Sequence, residues 1–171
     1  KFNIPVVTLI DTPGAYPGIR AEETGQGAAI AVNLREMYKL SVPIIAIITG
    51  EGCSGGALGL AVADRVMMLE HAYYTVISPE GCASILWRDA ARFAEAAEAL
   101  KITSKDLLEF NIIDEEIKEP IGGAHTNHAE TAENMKAAIK NALSELSKLS
   151  VEKLREERYA KFRAMGRFIE A

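Results

Sequence analysis

The stretch that decides the fold is Ile44-Ile45-Ala46-Ile47-Ile48-Thr49-Gly50-Glu51-Gly52-Cys53-Ser54-Gly55-Gly56-Ala57-Leu58-Gly59-Leu60-Ala61. Residues 44–49 form an apolar, β-branched run, which is typical of a strand buried on both faces. Residues 50–56 are dense in glycine and predict a turn, and the small apolar residues 57–63 predict a tightly packed helix. A buried strand, a turn and a helix in this order indicate an α/β fold.

The same alternation continues along the chain. Residues 4–10 predict a second buried strand, and residues 11–18, with two prolines and two glycines, predict a loop. We treat residues 1–125 as a core and residues 126–171 as a helical extension of the same domain. Further strands are expected at 65–69, 73–77 and 112–117, and helices at 22–40, 79–87, 90–100, 104–110, 127–146 and after Ser150.

Length and composition limit the class of protein. The 171 residues are 49% apolar and 25% charged, which suits one globular domain. A formal charge of −5 argues against a nucleic-acid-binding protein, and no apolar run approaches the roughly 20 residues of a membrane helix. Cys53 and Cys82 have no zinc-ligand spacing, and a reducing compartment suits them. Because the chain opens on Lys1 and runs at once into a strand, we expect an earlier part of the fold to precede it.

Two familiar motifs occur in part within the two glycine loops. Asp11-Thr12-Pro13-Gly14 after a strand matches the Asp-x-x-Gly element of GTPases, but the chain has no Gly-x-x-x-x-Gly-Lys-Ser/Thr string to hold phosphates. Gly52-Cys53-Ser54-Gly55-Gly56 matches the Gly-x-Ser-x-Gly elbow of serine hydrolases. A hydrolase also needs a histidine base oriented by an acid, and spacing does not place any of the three histidines near Ser54.

A third hypothesis needs no side-chain nucleophile. Gly55, Gly56 and Ala57 stand where a helix begins, and the first amides of a helix have no intrahelical partner. The helix dipole adds partial positive charge there, and the glycines let a ligand oxygen come close. These features favour an oxyanion hole built from backbone N–H groups. A tight strand–helix turn with close packing is the structural alternative, and Ser54 is then only a helix cap.

Four motifs in order resemble one protein family. The motifs are Asp11-Thr12-Pro13-Gly14-Ala15-Tyr16-Pro17-Gly18, Gly50-Glu51-Gly52-Cys53-Ser54-Gly55-Gly56-Ala57-Leu58, Val76-Ile77-Ser78-Pro79-Glu80-Gly81-Cys82-Ala83-Ser84-Ile85-Leu86-Trp87 and Glu119-Pro120-Ile121-Gly122-Gly123-Ala124-His125. Together they are similar to the carboxyltransferase alpha subunit of the multi-subunit acetyl-CoA carboxylase of bacteria and plastids. The resemblance runs over nearly the whole chain.

The resemblance implies a crotonase-like α/β fold, a spiral of ββα units with helices packed outside the sheets. It implies transfer of a carboxyl group from carboxybiotin, on a separate biotin carboxyl carrier protein, to acetyl-CoA, which gives malonyl-CoA for fatty-acid synthesis. It also implies a carboxyltransferase beta subunit as partner, in a heterotetramer with the active site at the interface. The zinc of the family belongs to beta, so no metal is expected in this chain. Nucleic acid and membrane are not expected partners, and the cytoplasm, or the stroma in a plant, is the expected location.

The resemblance also assigns site residues. It implies that the backbone amides of Gly55 and Gly56, with that of Ala57, form an oxyanion hole for the biotin ureido anion. The loop from Gly14 to Gly18 would shape the opposite wall, with the amide of Ala15 or Tyr16 as a further donor. The predicted substrate- and biotin-binding residues are Gly14, Ala15, Tyr16, Pro17, Gly18, Gly52 and Ser54.

Two other interpretations stay open at the level of sequence. The chain would belong to a carboxyltransferase for a different acyl-CoA, or it would be a crotonase-fold interaction subunit without catalysis of its own. In the second case, the C-terminal helices would be the working surface.

Overall fold

A parallel β-sheet of five strands forms the centre of the protein in the computed structural model, which describes residues 1–166. The strands run in the order β1-β2-β3-β5, and β4 pairs with the far end of β2. Their bounds are β1 Val6–Thr12, β2 Ile44–Cys53, β3 Arg65–Leu69, β4 Tyr73–Thr75 and β5 Glu115–Ile117.

Eight α-helices connect and cover the strands within the described residues. Two 3-10 turns, Ala90–Arg92 and Ala124–Thr126, precede the fifth and seventh of them. The helices are α1 Ile19–Glu23, α2 Gln26–Lys39, α3 Ser54–Ala61, α4 Pro79–Trp87, α5 Phe93–Leu100, α6 Ser104–Glu109, α7 His128–Leu146 and α8 Val151–Arg163.

Strand β2 is the centre of the core. Its residues from Ile44 to Ile48 have no exposed surface, because β1 and β3 pair on its two sides and helices cover its faces. Beyond this stretch the neighbour changes, and Glu51 lies opposite Tyr73 of β4. The end of β2 therefore projects past β3, towards the start of α3.

Most predicted elements are confirmed, and the differences have local causes. Residues 50–53 continue strand β2 rather than forming the predicted turn, because residues 51–53 pair with β4. The helix predicted over 22–40 is two helices, since Gly25 has a φ of +80° and interrupts the run. The predicted strands at 73–77 and 112–117 are each three residues long, and the helix predicted at 90–100 begins with a 3-10 turn.

Side-chain caps fix the starts of the later helices, as the sequence predicts. Thr103 accepts a hydrogen bond from the Asp106 N–H, and Asn127 accepts one from the Glu130 N–H at 3.2 Å. Each cap satisfies one of the amides that a helix leaves unpaired at its start. These caps set the helical boundaries within one or two residues of the prediction.

Helices α7 and α8 pack on the same core as the sheet. Ala138, Ala142, Leu146 and Leu154 are buried in it. The division of the chain at residue 125 stays a prediction, and residues 167–171 of the predicted extension lie outside the described part. No helix among residues 1–166 has the length and apolar character to cross a membrane.

Candidate functional site

The candidate site lies where strand β2 turns into helix α3. Cys53 ends the strand in an extended conformation, and Ser54 takes up the left-handed region with a φ of 56°. No side chain among the described residues caps the helix. The amides of Ser54, Gly55 and Gly56 have no intrahelical partner, as at any helix start. Ala57 is fully buried, and its amide is the first with a helical carbonyl partner, four residues back.

The loop after β1 lies directly against this helix start. A Cβ atom placed on Gly56 would lie 2.7 Å from the carbonyl carbon of Gly14 and 3.0 Å from the nitrogen of Ala15. A Cβ placed on Gly14, whose φ is +121°, would lie 3.3 Å from Ser54 Cβ. The structure thus brings together the two glycine segments that the sequence singled out. Their ligand-binding roles stay predictions.

Gln26 holds the loop in place, and the sequence analysis missed it. Its Oε1 accepts from the Tyr16 N–H and its Nε2 donates to the Tyr16 carbonyl, both at 2.9 Å. The Tyr16 amide, one of two proposed donors in this loop, is therefore already paired. The Ala15 amide makes no hydrogen bond with any other described residue. One local signal points to Gln26: it directly follows Gly25, the glycine at which the predicted helix is interrupted.

The other predicted site residues lie in two environments, the buried strand β2 and the exposed edge of the loop. Gly52 is buried within β2, where a Cβ would lie 3.1 Å from the Tyr73 carbonyl oxygen. Gly18 lies under the ring of Tyr16, which is largely exposed, and Pro17 between them is exposed as well. Tyr16 and Pro17 therefore form the outer edge of the loop.

Asp11 has a structural role that accounts for its place in the motif. Its Oδ1 accepts from the Glu51 N–H at 2.9 Å, and a Cβ on Gly50 would lie 2.6 Å from that oxygen. Gly50 is thus required so that the carboxylate can reach the backbone of β2. This contact explains the Asp11 motif without a nucleotide, so nothing in the described residues supports the GTPase hypothesis.

An apolar cavity of about 390 Å³ opens beside Ser54 and Gly55. This volume is in the range of small-molecule sites. Burial raises the pKa of Tyr74, on its wall, to about 12, so this phenol stays protonated. The remaining lining residues are Leu58, Thr75, Val76, Leu100, Leu107 and Ile112.

The serine hydrolase hypothesis lacks a base in the part of the chain that the structure describes. No histidine lines the cavity beside Ser54. His71 and His125 line a separate groove, where His71 Nδ1 lies 3.1 Å from Glu119 Oε2. Burial, together with the Glu51 charge, raises the pKa of the neighbouring Cys53 thiol, so this thiol is also unsuited to nucleophilic attack.

The described residues contain no group of three or more His, Cys, Asp or Glu side chains arranged to hold a metal ion. The site presents backbone amides at the positive end of a helix, beside an apolar cavity that Ser54 and Gly55 line. Such an arrangement stabilises an oxygen that gains negative charge.

Comparison with known proteins identifies the family. The model of the acetyl co-enzyme A carboxylase carboxyltransferase-like family matches residues 1–166. The chain belongs to this family. A Synechococcus protein (strain CC9605) and a Geobacter metallireducens protein are each 61% identical over 170 residues, 99% of this chain. Both are named acetyl-coenzyme A carboxylase carboxyl transferase subunit alpha, and the chain spans about half of their length, 52% and 54%.

The crotonase-like carboxyltransferase fold is also confirmed. Transcarboxylase 12S, with methylmalonyl-coenzyme A and methylmalonic acid bound, superposes with a TM-score of 0.70 at 25% identity. The match covers 84% of this chain and 27% of the transcarboxylase chain. The predicted family and fold class are therefore correct.

Proposed function

We propose that this chain is the biotin-side half of a carboxyltransferase that moves a carboxyl group from carboxybiotin to acetyl-CoA and so forms malonyl-CoA. Family membership over residues 1–166 supports the reaction class. The observation that carries the site is the contact of Gly56 with Gly14 and Ala15 at the start of α3.

Carboxybiotin, when bound, would supply the carboxyl group as CO₂; negative charge would develop on its ureido oxygen, and the resulting anion would take up the proton that the acetyl-CoA methyl group loses. The unpaired amides of Gly55 and Gly56 point out of the helix start, where the dipole is positive. They hold that oxygen as its charge develops, and one such donor is worth about 2.7–4 kcal/mol in a transition state. No side-chain acid or base is needed for this step.

The surroundings of these amides suit biotin. The cavity of about 390 Å³ beside Gly55 is lined mostly by aliphatic side chains, among them Leu58, Leu100 and Leu107. An apolar ring system with one polar edge fits such a wall when the edge faces the helix start. Among residues 1–166, only Ile30 Cδ1 would lie within 4 Å of a Cβ on Gly55, at 3.8 Å, so the side-chain side of this residue is open.

The proposal includes three partners. The biotin is borne on a biotin carboxyl carrier protein, and a carboxyltransferase beta subunit completes the active site in a heterotetramer. Acetyl-CoA is the acceptor, and malonyl-CoA is the product. We place the reaction in the bacterial cytoplasm, or in the plastid stroma for a plant protein, in keeping with two free cysteines.

The test is carboxyl transfer in reverse, from malonyl-CoA to a soluble biotin analogue, by this chain within its full-length alpha subunit and co-purified with beta. Acetyl-CoA formation that needs both subunits and the analogue supports the proposal. Methylmalonyl-CoA in a parallel reaction tests the choice of acyl group. If methylmalonyl-CoA turns over faster than malonyl-CoA, propionyl-CoA and not acetyl-CoA is the acceptor. If a well-formed complex transfers a carboxyl group from neither substrate, the chain is better explained as an interaction subunit without catalysis of its own.

A further inference from the structure

The side-chain amide of Gln26 makes two hydrogen bonds with the backbone of Tyr16. Its Oε1 accepts from the Tyr16 N–H and its Nε2 donates to the Tyr16 carbonyl, each at 2.9 Å. The same carbonyl also accepts from the Gly18 N–H at 3.0 Å. We propose that Gln26 is a positioning residue that presents the Ala15 amide as the third donor of the oxyanion hole. This inference rests on the proposed function.

The backbone conformation at Gly25 allows Gln26 to make both hydrogen bonds. Gly25 precedes α2 with a φ of +80°, a region that glycine enters at little cost. Gln26 is the first residue of α2, and the break between α1 and α2 turns its side chain back towards the loop. A continuous helix over this stretch would not place residue 26 at the start of a helix.

The loop has three successive amides, and two of them are occupied. The Gly14 N–H donates to Thr12 Oγ1 at 3.2 Å, and the Tyr16 N–H donates to Gln26. The Ala15 amide between them makes no hydrogen bond with the described residues. The hydrogen bonds on either side hold the loop in one conformation and leave this one donor for a ligand.

The unpaired amide lies beside the helix start. The Ala15 nitrogen is 3.0 Å from the position of a Cβ on Gly56. It is therefore at most about 4.5 Å from Gly56 Cα, since one carbon–carbon bond adds ~1.5 Å. A donor at this distance can share one oxygen with the amides of Gly55 and Gly56.

Only a glutamine makes both contacts. A glutamate at residue 26 keeps the acceptor for the Tyr16 N–H but loses the donor, and it sets a carboxylate against the Tyr16 carbonyl. An alanine loses both contacts. Gln26→Glu keeps a side chain of similar size but loses one hydrogen bond, whereas Gln26→Ala loses both. The two substitutions therefore distinguish an effect of the hydrogen bonds from an effect of side-chain volume.

The experiment measures two quantities on the alpha–beta complex with wild type, Gln26→Ala, Gln26→Glu and a control. Arg35→Ala is the control, because Arg35 is exposed and lies on the same helix. The first quantity is hydrogen exchange of the Tyr16 amide, which does not depend on turnover. The second is carboxyl transfer from malonyl-CoA to a biotin analogue, with kcat and KM measured separately.

We expect Gln26→Ala to speed exchange of the Tyr16 amide at least about tenfold and to lower kcat about 10- to 100-fold. KM for malonyl-CoA stays within about twofold, because in this proposal the loop donor holds the biotin ureido oxygen and not the acyl-CoA. Gln26→Glu lowers kcat as well, and Arg35→Ala changes neither quantity. Unchanged kcat in Gln26→Ala, with faster Tyr16 exchange, overturns the positioning role. A wild-type complex without transfer overturns the proposed function instead, whatever the exchange rates.

Discussion

A Cβ atom on Gly56 would lie 2.7 Å from the carbonyl carbon of Gly14, closer than real side chains approach a backbone. The two glycine segments therefore touch, backbone against backbone, with no room for a methyl group. One segment follows strand β1 and the other begins helix α3, so the contact joins parts of the chain that are about 40 residues apart in the sequence.

Gly56→Ala is expected to destabilise the protein by about 1–3 kcal/mol, because the added methyl pushes into the Gly14–Ala15 backbone. Gly55→Ala is the matched comparison, since within the described part of the chain a Cβ there meets only Ile30 Cδ1, at 3.8 Å. Urea unfolding of both variants measures the difference. Equal stability of the two would show that the loop gives way at no cost.

Removing one member of the buried Arg158–Asp64 pair is expected to cost about 3–5 kcal/mol. Arg158 donates to both carboxylate oxygens at 2.8 Å and to four backbone carbonyls, and its side chain is fully buried. Asp64 also accepts from the Ile44 N–H at 2.7 Å. Arg158→Leu and Asp64→Asn test this by chemical denaturation. The exposed Arg155→Ala on the same helix should stay within about 0.5 kcal/mol, and a similarly small loss at Arg158 would contradict the account.

The carboxylate of Glu119 is expected to stabilise the fold above pH 4.5 and to stop doing so as the pH falls. Burial raises the pKa of Glu119, but hydrogen bonds from the His71 N–H and ring and from the Ala124 N–H outweigh this and hold the pKa below its ordinary 4.5. A lowered folded pKa means that protonation favours the unfolded chain.

Glu119→Gln should therefore cost most near pH 6 to 7, and its cost should shrink at acidic pH. Unfolding free energies of both proteins across this range provide the measurement, with the exposed Glu115→Gln as control. A difference in unfolding free energy between wild type and the Glu119→Gln variant that stays constant down to about pH 3 would contradict the lowered pKa.

Ser54 is expected to be replaceable without loss of the reaction. Its φ of 56° costs energy for a residue with a Cβ, so Ser54→Gly should stabilise the protein by about 1 kcal/mol. Ser54→Ala should keep carboxyl transfer within a few fold, because backbone amides hold the anion. Thermal unfolding and the transfer assay check the two statements. Abolished turnover in Ser54→Ala would revive the nucleophile hypothesis.

Local patterns in the sequence predicted much of the fold. The apolar run from Ile44 to Ile48 predicted the central strand, and the caps at Thr103 and Asn127 predicted two helix starts. The glycine content of residues 50–53 predicted a turn, and this prediction was wrong. The segment is a strand because it pairs with β4, more than 20 residues later. Local composition does not contain that information.

The site was predicted in part, for a similar reason. The glycines at 14, 55 and 56 stand out in the sequence as parts of motifs, and the structure brings them together. Gln26 and Arg158 do not, because each acts on backbone atoms that are distant in sequence: Tyr16 for Gln26, and the end of α2 for Arg158. Arg158 also lies on a helix whose exposed face is highly charged, so its burial has no local signal.

The central claim is that the two glycine segments form one anion site, and Gly56→Ala in the assembled alpha–beta complex tests it most directly. Gly59→Ala is the control, because Gly59 lies in the same helix and a Cβ there makes an ordinary 3.6 Å contact with Ile30. With complex assembly verified by sedimentation, the account predicts that Gly56→Ala lowers kcat of carboxyl transfer about 100-fold or more, while Gly59→Ala stays within about twofold. Normal turnover of an assembled Gly56→Ala complex would contradict it.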